Sequence, residues 1–182
     1  QSPYLNVYGE PEAYLSDEAC RAFSPVVCFG SLAVDGDRAP AGAAPWCERR
    51  EGVRRVLVSM GSVGWRLFHD DTRAALEAIV EALARRDDVE AIVSLGVEPD
   101  AVDAETLRDL SADNVRAVAW IDQWAALAGA DVFVTHAGLN SVHEAVYHRV
   151  PMVAYPLFAD HPALAARCVE LGAAVRLVDE VR

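Results

Sequence analysis

Ten residues carry side chains, or the lack of one, that suit an oxygen-rich anionic ligand: Ser62, Trp120, Gln123, His136, Gly138, Asn140, Ser141, Glu144, Asp160 and His161. They fall in four clusters, at 62, 120–123, 136–144 and 160–161, and each cluster follows an apolar run short enough to be a buried strand. His136-Ala137-Gly138 is a small-residue turn that leads through Asn140 and Ser141 into the helical pattern Val142, Ala145, Val146. A helix N-terminus presents unpaired N–H groups and a partial positive charge, so it holds a phosphate without any cationic side chain. Trp120 offers a flat indole on which a base can stack, and Glu144 a carboxylate able to accept both hydroxyls of a ribose. The ligand implied is an anionic nucleotide.

Each feature also has a plain structural reading. Gly61-Ser62-Val63-Gly64 is a tight turn by composition, and Trp120 is an aromatic at a strand end that a core would accept. Ser141 and Glu144 spell S-x-x-E, the capping box in which both side chains satisfy backbone donors. Asp160 stands where an N-cap belongs, before the helix that contains Pro162. His143 and His148 flank Glu144 but lie five residues apart, about 140° around a helix, rather than the four that put two zinc ligands on one face. No metal site is expected.

The elements that must position these residues alternate regularly. Strands are predicted at 55–60, 89–95, 115–120, 131–135, 150–155 and 174–178, with an earlier short one at 26–29. Leu76, Ile79, Val80 and Leu83 form an amphipathic stripe behind Asp70 or Asp71 as cap, and Glu81 and Arg85 add an exposed pair. A short helix is expected within 100–109, another capped by Asp122 through Leu127, and Gly172 is expected to end the last one. Strand–helix alternation implies a doubly wound parallel α/β sheet of the Rossmann-like kind, in which loops at the carboxyl ends of the strands bind ligands. Residues 1–50 read differently: the turn-rich stretch 35–45 (DGDRAPAGAAP) is a linker by composition, and what precedes it looks like the tail of another domain. Residues 51–182 form the binding domain, and a sheet of this type that stops straight after a strand looks truncated at that end too.

Composition removes several classes. All sixteen basic residues are arginine, so neither a Walker A loop nor a Schiff-base enzyme, pyridoxal phosphate included, fits this chain. A formal charge of −12 argues against nucleic acid and against anionic membrane surfaces. No apolar run reaches membrane-spanning length, and no signal peptide is visible in the opening residues. Cys20, Cys28, Cys47 and Cys168 have no paired spacing and read as reduced packing residues, as in a cytoplasmic protein.

The stretch WIDQWAALAGADVFVTHAGLNSVHEAVYHRVPMVAYPLFADH resembles the donor-binding signature of inverting, nucleotide-sugar-dependent glycosyltransferases with two Rossmann-like domains, the GT-B fold. The likeness runs from about 54 to 178, is visible again near 26–32, and is closest to the bacterial branch that glycosylates macrolides and other natural products. It implies that Trp120 stacks on uracil or thymine with Gln123 beside the nucleoside. His136, Gly138, Asn140 and Ser141, helped by Ser62, would hold the diphosphate of a UDP- or dTDP-sugar, with His136 stabilising the leaving group. Glu144 would bind the ribose, and Asp160 with His161 the sugar hydroxyls. The resemblance further implies no cofactor or metal, a small hydroxylated acceptor, and a catalytic base on a preceding acceptor-binding domain, leaving no catalytic residue here. Three positions depart from the family's usual pattern: Asp122 for Pro, His161 for Gln and Leu164 for Asn. A non-catalytic nucleotide-sugar binding module and a sugar-nucleotide 2-epimerase of the same fold are the alternatives.

Overall fold

Three runs, 54–59, 89–94 and 132–135, are apolar on both faces, so their strands must lie between two layers of helix. The computed structural model, which describes residues 2–30 and 46–177, puts them there. In chain order the elements are β1 (Asn6–Tyr8), α1 (Asp17–Ala22), β2 (Val26–Cys28), β3 (Arg54–Ser59), α2 (Gly61–Leu67), α3 (His69–Ala84), β4 (Val89–Ser94), α4 (Ala104–Asp109) and β5 (Val115–Val118). Then follow α5 (Gln123–Leu127), β6 (Val132–Thr135), α6 (Leu139–His148), β7 (Met152–Ala154), α7 (His161–Glu170) and β8 (Ala174–Arg176). Strands β3 to β8 make one parallel sheet in the order β5-β4-β3-β6-β7-β8.

That order reverses once. From β3 the chain works outward to β4 and β5, then crosses back to β6 and continues the other way. At the reversal the loops leaving β3 and β6 part toward opposite faces and open a crevice between them. Ser59 and Thr135, the last residues of the two strands, are register partners at its base.

Alternation along the central strands divides the core. Val56 and Val58 face Trp65, Leu76, Ile79 and Val80 on one side. Leu57 and Phe133 face Leu127, Val142, Ala145, Leu164 and Cys168 on the other. Leu57 and Phe133 are wholly buried, each stabilising the fold by about 1.5–3 kcal/mol.

Several local readings change. Residues 61–64 are not a free turn: Gly61, with φ of +70°, opens α2 directly after β3. α3 starts at His69 without a side-chain cap, so Asp70 and Asp71 act only as first-turn acids facing the helix dipole. Asp122 does cap α5, its carboxylate accepting from the Ala125 N–H at 3.1 Å. Asp103 caps α4 in the same way, Gly172 follows α7 at φ +73°, and Arg85 pairs with Glu81. All four cysteines are free thiols.

The amino-terminal residues hold more order than one short strand. β1 and β2 pair in parallel, and Ser16 caps α1 by accepting from the Ala19 N–H. The linker expected at 35–45, and the end of the last strand beyond 177, lie outside the described residues.

Candidate functional site

A cleft of about 490 Å³ opens at the carboxyl ends of β3 and β6, where the strand order reverses. All ten residues singled out from the sequence line it. Short links achieve this: Ser62 is the second residue of α2, His136 the first after β6, Gly138 the N-cap of α6, and Asp160 that of α7.

His136 is the centre of the arrangement. The residue is 9% exposed and its ring lies between two glycines. A Cβ at Gly61 would come within 2.6 Å of Cε1, and one at Gly138 within 2.3 Å of Nε2, so neither position admits a side chain while the ring stays put. Gly96, two residues past β4, presses on Gly61 in turn, since a Cβ there would stand 3.1 Å from the Gly61 carbonyl carbon. Burial pushes the imidazole's pKa down to about 4, and neighbouring His161 pushes the same way, against the Ser59 backbone and Asp160. His136 is therefore neutral at pH 7, a hydrogen-bonding group rather than a cation.

His161 packs edge-on to His136 at 4.6 Å and tilted against Phe158 at 4.4 Å, with Nδ1 accepting from the Phe158 N–H at 3.5 Å. It is 6% exposed, and burial lowers its pKa too. Sequence reasoning placed His161 on the cleft but missed this contact with His136.

The capping box that Ser141 and Glu144 spell, the structural alternative to a ligand-binding role, is not formed. α6 begins at Leu139 behind Gly138, which makes Ser141 the third helical residue. The Gln123 side-chain amide donates instead to Ser141 Oγ at 3.2 Å and to Glu144 Oε2 at 2.7 Å. Nor does Asp160 cap α7 with its side chain: it takes a helical backbone conformation and its carboxylate makes no cap bond. Trp120 is 61% exposed, which removes it from the core and leaves its indole on the rim.

Two non-glycine residues adopt left-handed conformations beside the site: Ala137 at φ 60°, between His136 and Gly138, and Ala159 at φ 52°, before Asp160. Such strain gathers at ligand-binding loops. The walls also include Ser59, Ser94, Gly96 and Phe158, which sequence reasoning did not single out. The one signal for the first three was small residues at or just past the ends of β3 and β4, and Phe158 had none. Among the described residues no arginine lines the cleft, so an anion there would rely on N–H groups, hydroxyls, amides and imidazole.

The other histidines have different surroundings. His143 pairs with Glu10, His148 packs edge-on to Trp124 at 4.5 Å, and His69 does so against Trp65 at 4.6 Å. A second hollow, about 360 Å³, sits at the opposite edge of the sheet between Trp46, Glu90 and Arg116, and none of the ten residues reaches it.

Residues 47–181 match the family model described as UDP-glucoronosyl and UDP-glucosyl transferase. The chain belongs to this family. Among curated relatives, UDP-glucuronosyltransferase 2B28 of Homo sapiens is 36% identical over 124 residues, 67% of this chain and 21% of that one. The chain spans between 8% and 21% of the length of curated relatives it matches. Among solved structures, the glycotransferase of kitacinnamycin superposes with a TM-score of 0.72 at 29% identity, covering 94% of this chain and 41% of that one. The spinosyn rhamnosyltransferase SpnG, solved with thymidine diphosphate, gives 0.73 at 22% identity, over 99% of this chain and 45% of its own, and speaks for the fold alone.

Proposed function

We propose that this chain supplies the donor-binding half of a glycosyltransferase, residues 51–182 holding a UDP- or dTDP-sugar for transfer to a hydroxyl of a small natural-product acceptor. One observation carries the reading: the ten residues singled out from the sequence meet in one cleft where the strand order reverses, around a neutral His136 wedged between two glycines. Membership of a sugar-transferring family supports it.

The base stacks on the exposed indole of Trp120, with Gln123 beside the nucleoside. Ser62, Gly138, Asn140, Ser141 and the first N–H groups of α6 take the diphosphate, and His136 donates an N–H to it. Glu144 accepts from the ribose, steadied by the Gln123 amide. Asp160 faces the sugar hydroxyls, with His161 behind it against His136.

In the transfer step the acceptor oxygen attacks the anomeric carbon from the face opposite the diphosphate. The new glycosidic C–O bond forms as the sugar–phosphate C–O bond breaks, so the configuration inverts. The acceptor's proton passes to a base on a preceding acceptor-binding domain, with residues 1–50 as its tail and the linker. Negative charge grows on the departing diphosphate, where His136 and the α6 N-terminus are already oriented toward it. No metal takes part, because the helix end and His136 do the work an ion would do.

The test is turnover of UDP- and dTDP-sugars with phenolic and macrolide acceptors, comparing this chain alone with the longer polypeptide of which it is the donor half. Glycoside formed only by the longer protein, and lost in His136→Ala, is expected. Transfer by this chain alone, abolished by His161→Ala, would place the base here instead.

A further inference from the structure

The short stretch 10–14, which follows β1, touches both helices whose N-termini build the cleft. On α6, Nε2 of His143 meets Oε2 of Glu10. Neither atom reaches solvent, and neither has a hydrogen-bond partner elsewhere among the described residues. Tyr14 stacks on the same imidazole, ring centroids 5.3 Å apart and 28° between planes. On α7, Arg167 Nε donates to the Ala13 carbonyl at 2.6 Å. Burial, with Cys168 and Glu10 nearby, lifts the Tyr14 phenol to about 12, as befits a ring set into an interface.

These contacts fall on the outer sides of the helices that the cleft uses. His143 lies between Ser141 and Glu144 in the chain, so whatever fixes its ring also fixes the helix that presents them. Arg167 sits two turns along from Asp160 and His161. Only β7, three residues long, and its loops link the two helices along the chain. The stretch 10–14 is a second, external link.

We propose that residues 10–14 clamp α6 against α7 and set the spacing of their N-termini, making Glu10, Tyr14 and His143 positioning residues for a ligand that spans both helices. The inference rests on the nucleotide-sugar reading above: the diphosphate sits at the start of α6 and the sugar at the start of α7. A nucleoside monophosphate needs Trp120, Gln123, Glu144 and α6 but not α7. Removing Glu10 strands the buried His143 nitrogen, and removing Arg167 frees α7 alone. Either change shifts one end of the site relative to the other.

Calorimetric titration of the intact chain with UMP, dTMP, UDP-glucose and dTDP-glucose separates the roles. Glu10→Ala and Arg167→Met are expected to weaken the nucleotide sugar about tenfold while the monophosphate stays within about twofold, since a displacement on the order of 1 Å is enough to spoil a two-ended fit. Tyr14→Ala is expected to do the same, and if it fails to fold, Arg167→Met carries the comparison. Nucleotide-sugar affinity within about twofold of wild type, or equal losses for both ligand classes, would overturn the clamp. Wild-type chain that binds none of the four would overturn the nucleotide reading itself.

Discussion

Replacing Gly138 with alanine tests the packing at the centre of the site. Its backbone, at φ −67° and ψ 149°, suits any residue, so the cost is purely steric. The added methyl would lie 2.3 Å from His136 Nε2 and 3.0 Å from Cδ2, where ordinary contact begins at 3.4 Å. The ring must therefore move by about 1 Å in a buried position, and overpacking of this kind costs about 1–3 kcal/mol. The easiest way out is into the cleft, over the place assigned to the diphosphate. Nucleotide affinity should then fall by about 1.5–3 kcal/mol, the worth of a hydrogen bond to a charged group. In a His136→Ala background the three closest contacts of that methyl are gone, and its cost to stability should drop below about 0.5 kcal/mol. Gly61→Ala is the contrast. It also meets the ring, but its φ of +70° adds about 1–2 kcal/mol of strain that removing His136 does not relieve. Urea denaturation of the four proteins in each cycle supplies the coupling energies. Additive costs for Gly138→Ala and His136→Ala would refute the claim that the ring is wedged there.

Three further outcomes follow from the geometry. With its native pKa near 4 against 6.5 for a free imidazole, His136 stabilises the fold fully above pH 6.5. That contribution is lost as pH falls from 6.5 toward 4, where the unfolded chain takes up a proton the folded one refuses, at most about 3 kcal/mol. Denaturation midpoints measured across that range should flatten in His136→Gln, and an unchanged slope would place the ring in solvent. Trp120→Ala should leave stability within about 0.5 kcal/mol, because the indole is exposed, yet weaken UDP or dTDP by about 1–3 kcal/mol in a fluorescence titration. Chelation by EDTA should leave nucleotide affinity unchanged; a loss restored by Mg²⁺ or Mn²⁺ would show that an ion does part of the work given to His136 and α6.

The sheet and the cleft were legible because their signals are local. Strands buried on both faces must be apolar throughout, and each binding loop starts where such a run ends, as at Thr135-His136 and Ser59-Met60. What could not be read depends on contacts between distant residues. S-x-x-E looks the same whether its serine caps a helix or sits inside it. α6 starts at Leu139, and only the fold brings Gln123 to both Ser141 and Glu144. A glycine-rich segment after a strand reads as a turn, whereas Gly61 opens a helix because the close approach of His136 and Gly96 leaves room only for glycine there. The edge contact of His161 with His136, and the grip of residues 10–14 on α6 and α7, join parts of the chain that no local pattern connects.

The decisive question is where a pyrimidine nucleoside diphosphate binds. Amide and indole shifts of isotopically labelled chain, followed by NMR during titration with UDP and with dTDP, answer that. Saturable changes are expected at Ser62, at residues 138–141 and at the Trp120 indole N–H, and they should vanish in His136→Ala. Shifts confined to the opposite hollow around Trp46 and Arg116, or none at all, would contradict it.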